Sequence, residues 1–150
     1  MTVSLLGAPI SIGRPALQVA LAGDDVVETL PIVVRRATLR DAQRTRSLLR
    51  SGTHDPANFV VALEIEAAIA PIAASARAAV EEVDRRGASG EPETIRYVGT
   101  AHGLLTLIRD IYASEVADAV IITPLDGSAT AARVRQQVLP YVAVRNRLAA

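Results

Sequence analysis

The chain has no cysteine, no lysine and no tryptophan, and its 150 residues include only four aromatics, Phe59, Tyr97, Tyr112 and Tyr141. Without cysteine there is no disulfide, no thiol nucleophile and no thiolate-ligated metal. Without lysine, Schiff-base chemistry and the phosphate-gripping lysine of a P-loop are excluded. All sixteen basic residues are arginine and sixteen acids balance them, so the net charge is zero. A neutral chain gives no electrostatic case for nucleic acid. No apolar run approaches the ~20 residues of a membrane span. No basic stretch precedes Met1-Thr-Val-Ser-Leu-Leu, so no signal peptide is read there. The expectation is a cytoplasmic protein that binds neither nucleic acid nor membrane. With so few aromatics, the core must be built from Val, Leu, Ile and Ala.

What is present is an alternation of short apolar runs with helical patterns. Residues 1–14 carry Gly7, Pro9 and Gly13 and read as an extended arm ahead of a single domain over 15–150. Strands are expected at Ala16–Ala22, Ile32–Arg36, Phe59–Ile65 and Ala119–Thr123. Val26–Leu30 is long enough for one helical turn, stopped by Pro31. Thr38 with Asp41 resembles a capping box and starts a helix running to about Arg50, ended by Ser51-Gly52. Pro71 suits the first turn of a helix ending at Arg86-Gly87. Thr100 can cap a helix over His102–Ser114, whose stripe is Leu104, Leu105, Ile108, Ile111 and Tyr112. A last helix reaches Asn146, and Pro140 should break it near Gln136–Leu139. Buried-type strands alternating with helices predict βα units and a parallel sheet.

Several local phrases, taken together, resemble the luciferase-like flavin-dependent monooxygenases. They are Gly13-Arg-Pro15, Thr38-Leu-Arg-Asp-Ala42, Val98-Gly-Thr100, Asp118-Ala-Val-Ile-Ile-Thr-Pro124 and Gln137-Val-Leu-Pro140. The resemblance covers strands five to eight of that family's eight-stranded barrel and none of its first half. It implies half a (β/α)8 barrel, four parallel strands with covering helices, completed by a homodimer or by a partner chain supplying the missing half. An open sheet covered on both faces is a third arrangement. The implied cofactor is FMN or a reduced flavin, with a small-molecule substrate. One departure concerns the phosphate. Where the family carries glutamine-alanine-glycine-x-serine, this chain has Val19, Ala20, Leu21, Ala22 and Gly23. A shift of one residue puts Asp24 at the serine, and Asp24-Asp25 would repel a phosphate.

In a barrel, sites gather at the C-terminal ends of strands. Glu64 and Glu66 share a face by period two and are the catalytic candidates, since paired carboxylates can divide acid and base roles. A solvated strand end is the bland alternative. Gly23, Arg35, Arg36 and Thr123 are the cofactor-binding candidates, with a surface salt bridge the alternative for the arginines. His54 and His102 do not make a metal site. Three functions remain open: a flavin-dependent oxidoreductase or monooxygenase subunit competent only in a completed barrel, a non-catalytic half-barrel module that has lost flavin, and a cofactor-free enzyme using Glu64 and Glu66.

Overall fold

A computed structural model describes residues 14–87 and 93–142. The expected arm, apart from Arg14, and the end of the last helix at Asn146 lie outside the described residues. Five strands form one parallel sheet: β1 Gln18–Leu21, β2 Ile32–Val34, β3 Val61–Ile69, β4 Ile95–Gly99 and β5 Ala119–Pro124. Four helices accompany them: α1 Leu39–Ser51, α2 Ala73–Arg85, α3 Ala101–Ala113 and α4 Ser128–Gln137. A short 3-10 turn, Asp25–Thr29, fills the interval before Pro31.

The parallel α/β arrangement with covering helices is the one expected, but the strand count is five rather than four. The additional strand is Ile95–Gly99, a segment not among the strands expected from the sequence. It exists because β3 is longer than expected. The alanines after Glu66 continue the strand to Ile69, and β4 pairs with that extension from Ile65 to Ile69. Glu64 and Glu66 are therefore mid-strand residues, not strand-end residues.

The sheet order is β1-β5-β3-β2, with β4 also on β3. Neighbours do not follow chain order, as consecutive strands of a closed barrel do. Instead β5 lies between β1 and β3. On β3's other edge, β2 pairs through Leu63 and β4 begins at Ile65. Two short strands thus share one edge, and Glu64 falls at their junction.

Period two divides the sheet. One face carries Leu63, Ile65, Ala67, Ile69, Val120 and Ile122, packed under α1, α3 and α4 through Ala42, Leu104, Ile108, Ile111 and Val134. The other face has a smaller apolar cluster, Ala62, Ala119 and Ile121, against Leu30 beside the 3-10 turn. Beyond it this face bears Glu64, Glu66 and Thr123, and further along β3 the fully buried Ala68. An apolar face left bare, which would be an association-prone surface, is not what this side of the sheet presents.

Local signals were honoured where caps supplied them. Thr38 accepts from the Asp41 amide at 3.1 Å and Thr100 from the Gly103 amide at 3.2 Å. α4 is interrupted at Val138, whose φ is −120°, and resumes through Val142, as Pro140 requires. Tyr97 lies across Gly99 and Gly103 and donates to the Thr100 carbonyl at 3.0 Å. A β-carbon at Gly103 would collide with the Tyr97 hydroxyl. Gly103→Ala is therefore expected to lower stability by about 1–2 kcal/mol despite alanine's better helix propensity, as a thermal melt would read.

The N-terminal end of β5 holds the main buried polar group. Asp118 is fully buried and its carboxylate accepts four hydrogen bonds. Oδ1 takes Arg14 Nε at 3.0 Å and Arg46 Nη2 at 2.9 Å; Oδ2 takes Arg46 Nε at 3.2 Å and the Val61 amide at 3.0 Å. Arg14 also lies 3.7 Å from the centroid of the Tyr112 ring. Burial pushes the Asp118 carboxyl upward, but the bonds from Arg46, the Val61 amide and Arg14 outweigh it and hold the group below its ordinary value.

Candidate functional site

Three of the expected site residues meet on the polar face of the sheet. Glu64 projects there from the middle of β3. Arg35, the first residue after β2, places Nη1 2.9 Å from Glu64 Oε2. Thr123, on β5, donates its hydroxyl to the same oxygen at 3.2 Å. The register explains the convergence. Glu64 pairs with Ile121 across the β3–β5 ladder, and Glu66 with Thr123, so Thr123 sits diagonally beside Glu64 on one face. The Glu64 side chain is 20% exposed and Arg35 48% exposed. The carboxylate is thus held from two sides yet open to solvent, with no described residue bonding Oε1.

Glu66 points to the same face but joins a different ion pair. Its Oε1 lies 3.5 Å from Arg96 Nε, and Arg96 Nη1 lies 3.5 Å from Asp84 Oδ1 at the end of α2. What reads in the sequence as a pair of carboxylates is two carboxylates, each with its own guanidinium. Such an arrangement positions donors and acceptors for a ligand more readily than it shares one proton between two acids.

The remaining candidates stand apart from this pair of contacts. Arg36 is exposed and donates Nη1 to the Arg35 carbonyl at 2.7 Å. Gly23 takes the turn after β1 with φ +92°, a conformation that favours glycine. Beside it, Asp24 receives both arms of Arg135, at 2.8 and 3.1 Å. Those bonds hold the Asp24 carboxyl below its ordinary value and raise the Arg135 guanidinium. A flavin phosphate does not fit there: the position of the family's phosphate-binding hydroxyl is Gly23 in the ungapped register, which has no side chain, and Asp24 in the register shifted by one, a carboxylate already paired with α4. Arg35 keeps guanidinium donors, and the Thr123 oxygen keeps acceptor capacity, that suit the hydroxyls and ring heteroatoms of a flavin rather than its phosphate.

Sequence reasoning missed Arg96, Asp84 and Arg135, which reach the site region from other elements and carry no local signature. It also missed the Asp118 cluster, for which a signal existed. Arg46 follows Ala42 by four residues on the buried side of α1, so an arginine interrupts the core stripe and demands an acid.

Among the described residues no group of three or more histidine, aspartate or glutamate side chains could hold a metal ion, and no helix is long and apolar enough to cross a membrane. No protein-family model matches the chain, and no curated protein matches it by sequence. Among solved structures it is similar to a riboflavin lyase (RcaE), crystallised with a modified FMN and its substrate riboflavin. The TM-score is 0.54 at 13% identity, over 89% of this chain and 40% of that one. The chain thus spans less than half the length of the structure it matches, consistent with half a barrel. The likeness is one of fold, an α/β parallel sheet with covering helices.

Proposed function

We propose that this chain is a flavin-related subunit of the luciferase-like kind, an oxidoreductase or monooxygenase half that becomes competent when a second chain completes its sheet. The observation that carries this reading is the convergence of Glu64 on β3, Thr123 on β5 and Arg35 just after β2 onto one polar, solvent-open face. The likeness to a fold that holds FMN and riboflavin in another protein supports it. A flavin supplies the redox chemistry. This chain's part is to bind and orient. The Thr123 hydroxyl and the Arg35 guanidinium fix Glu64, and the free Glu64 oxygen accepts from a ligand N–H or ribityl hydroxyl. Arg36 extends the donor set outward. β1 at one end of the sheet, and β2 with β4 at the other, leave backbone groups for a second chain, either a further copy or a partner bearing the missing half.

Because the Asp24–Arg135 ion pair occupies the phosphate corner, affinity should reside in the flavin ring and ribityl chain. Riboflavin should quench and bind at least as tightly as FMN in a fluorescence titration of the assembled protein. Arg35→Gln and Thr123→Val should each weaken riboflavin binding by about tenfold, the worth of one charge-assisted or buried hydrogen bond. No saturable flavin binding by the wild-type assembly would remove the reading. The filled phosphate corner itself favours a second one, a half-barrel module that stabilises a partner without any cofactor. A colourless stoichiometric complex, with the partner unstable alone, would establish that instead.

A further inference from the structure

Charge is neutral overall but strongly segregated. Between Arg35 and Ser51 stand six arginines and one acid, Asp41, a net +5 in a chain whose total is zero. Most of that charge belongs to α1, and its placement breaks two local rules. Arg40 sits in the first turn, at the positive end of the helix dipole. Arg40 and Arg44 are four residues apart, so two like charges are neighbours on one side of the helix. Neither has an ion-pair partner among the described residues, in contrast to Arg35, Arg46, Arg96 and Arg135. Local rules broken without a visible compensating contact mark functional positions.

The surface around these arginines is concave. A cleft of about 420 Å³ runs between α1 and the turn after α3, lined by Arg40, Gln43, Arg44, Arg46, Ser47 and Glu115. Two of its walls are rigid. Arg46 is locked on Asp118, and Gln43 donates to the Ser114 carbonyl at 2.7 Å. Glu115 is the acid that lines this cleft; its carboxylate lies 3.8 Å from Arg46 Nη1, which also donates to its backbone carbonyl at 3.2 Å. Arg40 and Gln43 also wall a second, adjoining cleft of about 250 Å³ whose other side carries Leu39, Ile111 and Val116, with Asp110 and Ser114 among them. Two adjoining hollows, one basic and one partly apolar, share a wall.

We infer that this double cleft is a binding site for a small amphiphilic anion, a phosphate or carboxylate carried on a compact apolar body. Arg40 and Arg44 take the anionic group with their planar forks, aided by the Ser47 hydroxyl. The apolar body lies against Leu39, Ile111 and Val116. The site shares no residue with the Arg35–Glu64–Thr123 cluster. α1 packs through Ala42 on the opposite face of the sheet, so the two sites stand or fall separately.

The test is isothermal titration of the wild-type protein with phenyl phosphate and with inorganic phosphate at fixed ionic strength. Phenyl phosphate should bind saturably and more tightly. Arg40→Gln/Arg44→Gln should weaken both by about tenfold or more. Leu39→Ser should weaken phenyl phosphate alone, by about threefold. All three positions are solvent-exposed, and an unchanged thermal melt separates lost binding from lost fold. Saturation by neither probe up to about 10 mM overturns the assignment, as does a double variant that binds like wild type. Tight binding of a DNA duplex with no saturable phenyl phosphate binding also overturns it, making the ridge a polyanion surface. Riboflavin titration of the same double variant should match wild type. Loss of flavin binding there would uphold this cleft and displace the proposed flavin site from Glu64.

Discussion

Asp118→Ala is expected to cost about 3–5 kcal/mol, read from urea denaturation, and this is the largest effect foreseen for an ionisable residue. The side chain is fully buried, and its removal leaves Arg46, itself 2% exposed, as an uncompensated buried charge. It also strips the acceptor from the Val61 amide at the start of β3. Domains of this kind have about 5–15 kcal/mol in total, so a loss of that size brings the protein near its unfolding threshold. Asp118→Asn should cost less, because an amide oxygen can still accept from the Val61 amide and Arg46 Nε, although its NH2 then faces the Arg14 and Arg46 donors on the other side. The same group sets an acid limit. Its folded pKa lies below the ordinary 3.8. Its stabilising contribution is therefore complete above 3.8 and disappears as the pH falls from there through the depressed folded value. Asp118→Asn should remove that part of the acid transition, and denaturation midpoints between neutral pH and pH 2 would show it.

Leu63→Ala is expected to lose about 2–5 kcal/mol, again by urea denaturation. Leu63 is fully buried on β3, flanked by Val34 of β2 and Val120 of β5 in the two ladders. Its neighbours in the packed face are aliphatic residues on strands and helices that are themselves fixed by backbone pairing. They cannot swing into the space as a loose aromatic could, so the cavity persists and the cost should lie in the upper part of that range. Val33→Ala, one residue from the register partner of Leu63 but 43% exposed, should change stability by less than about 0.5 kcal/mol.

The parts of the fold that local chemistry dictates could be read directly. Thr38 and Thr100 fixed two helix starts, Pro31 ended the short turn, and Pro140 interrupted the last helix. The strand before Pro124 needed only its apolar run. What escaped was whatever depends on a distant backbone. β3 was ended too early because Ala67-Ala68 have no strand propensity of their own; both are held extended by β4, and Ala67 by β5 as well. The sheet order was equally hidden, since nothing in residues 119–124 states that they will lie beside residues 18–21. At the site, Glu64, Arg35 and Thr123 were legible as types at plausible places, and the structure brings them into contact. Glu66 was legible as a neighbour of Glu64 but not as the partner of Arg96, a pairing set by cross-strand register. Asp24 was visible as a misfit for phosphate, while the arginine that occupies it lies far along the chain on α4.

The position of β5 has a consequence for how the molecule is made. Among the described residues β1 pairs with β5 alone, so its partner emerges from the ribosome about a hundred residues after it does. Until then the β5 side of β3 is also bare, and β1 has nowhere to dock. The sheet therefore assembles late, by insertion of its last strand into a waiting slot rather than by growth from one end. During that interval the vacant slot is where a second nascent chain could insert its own β5. Exchange of that strand between copies is the characteristic way for this topology to misassemble.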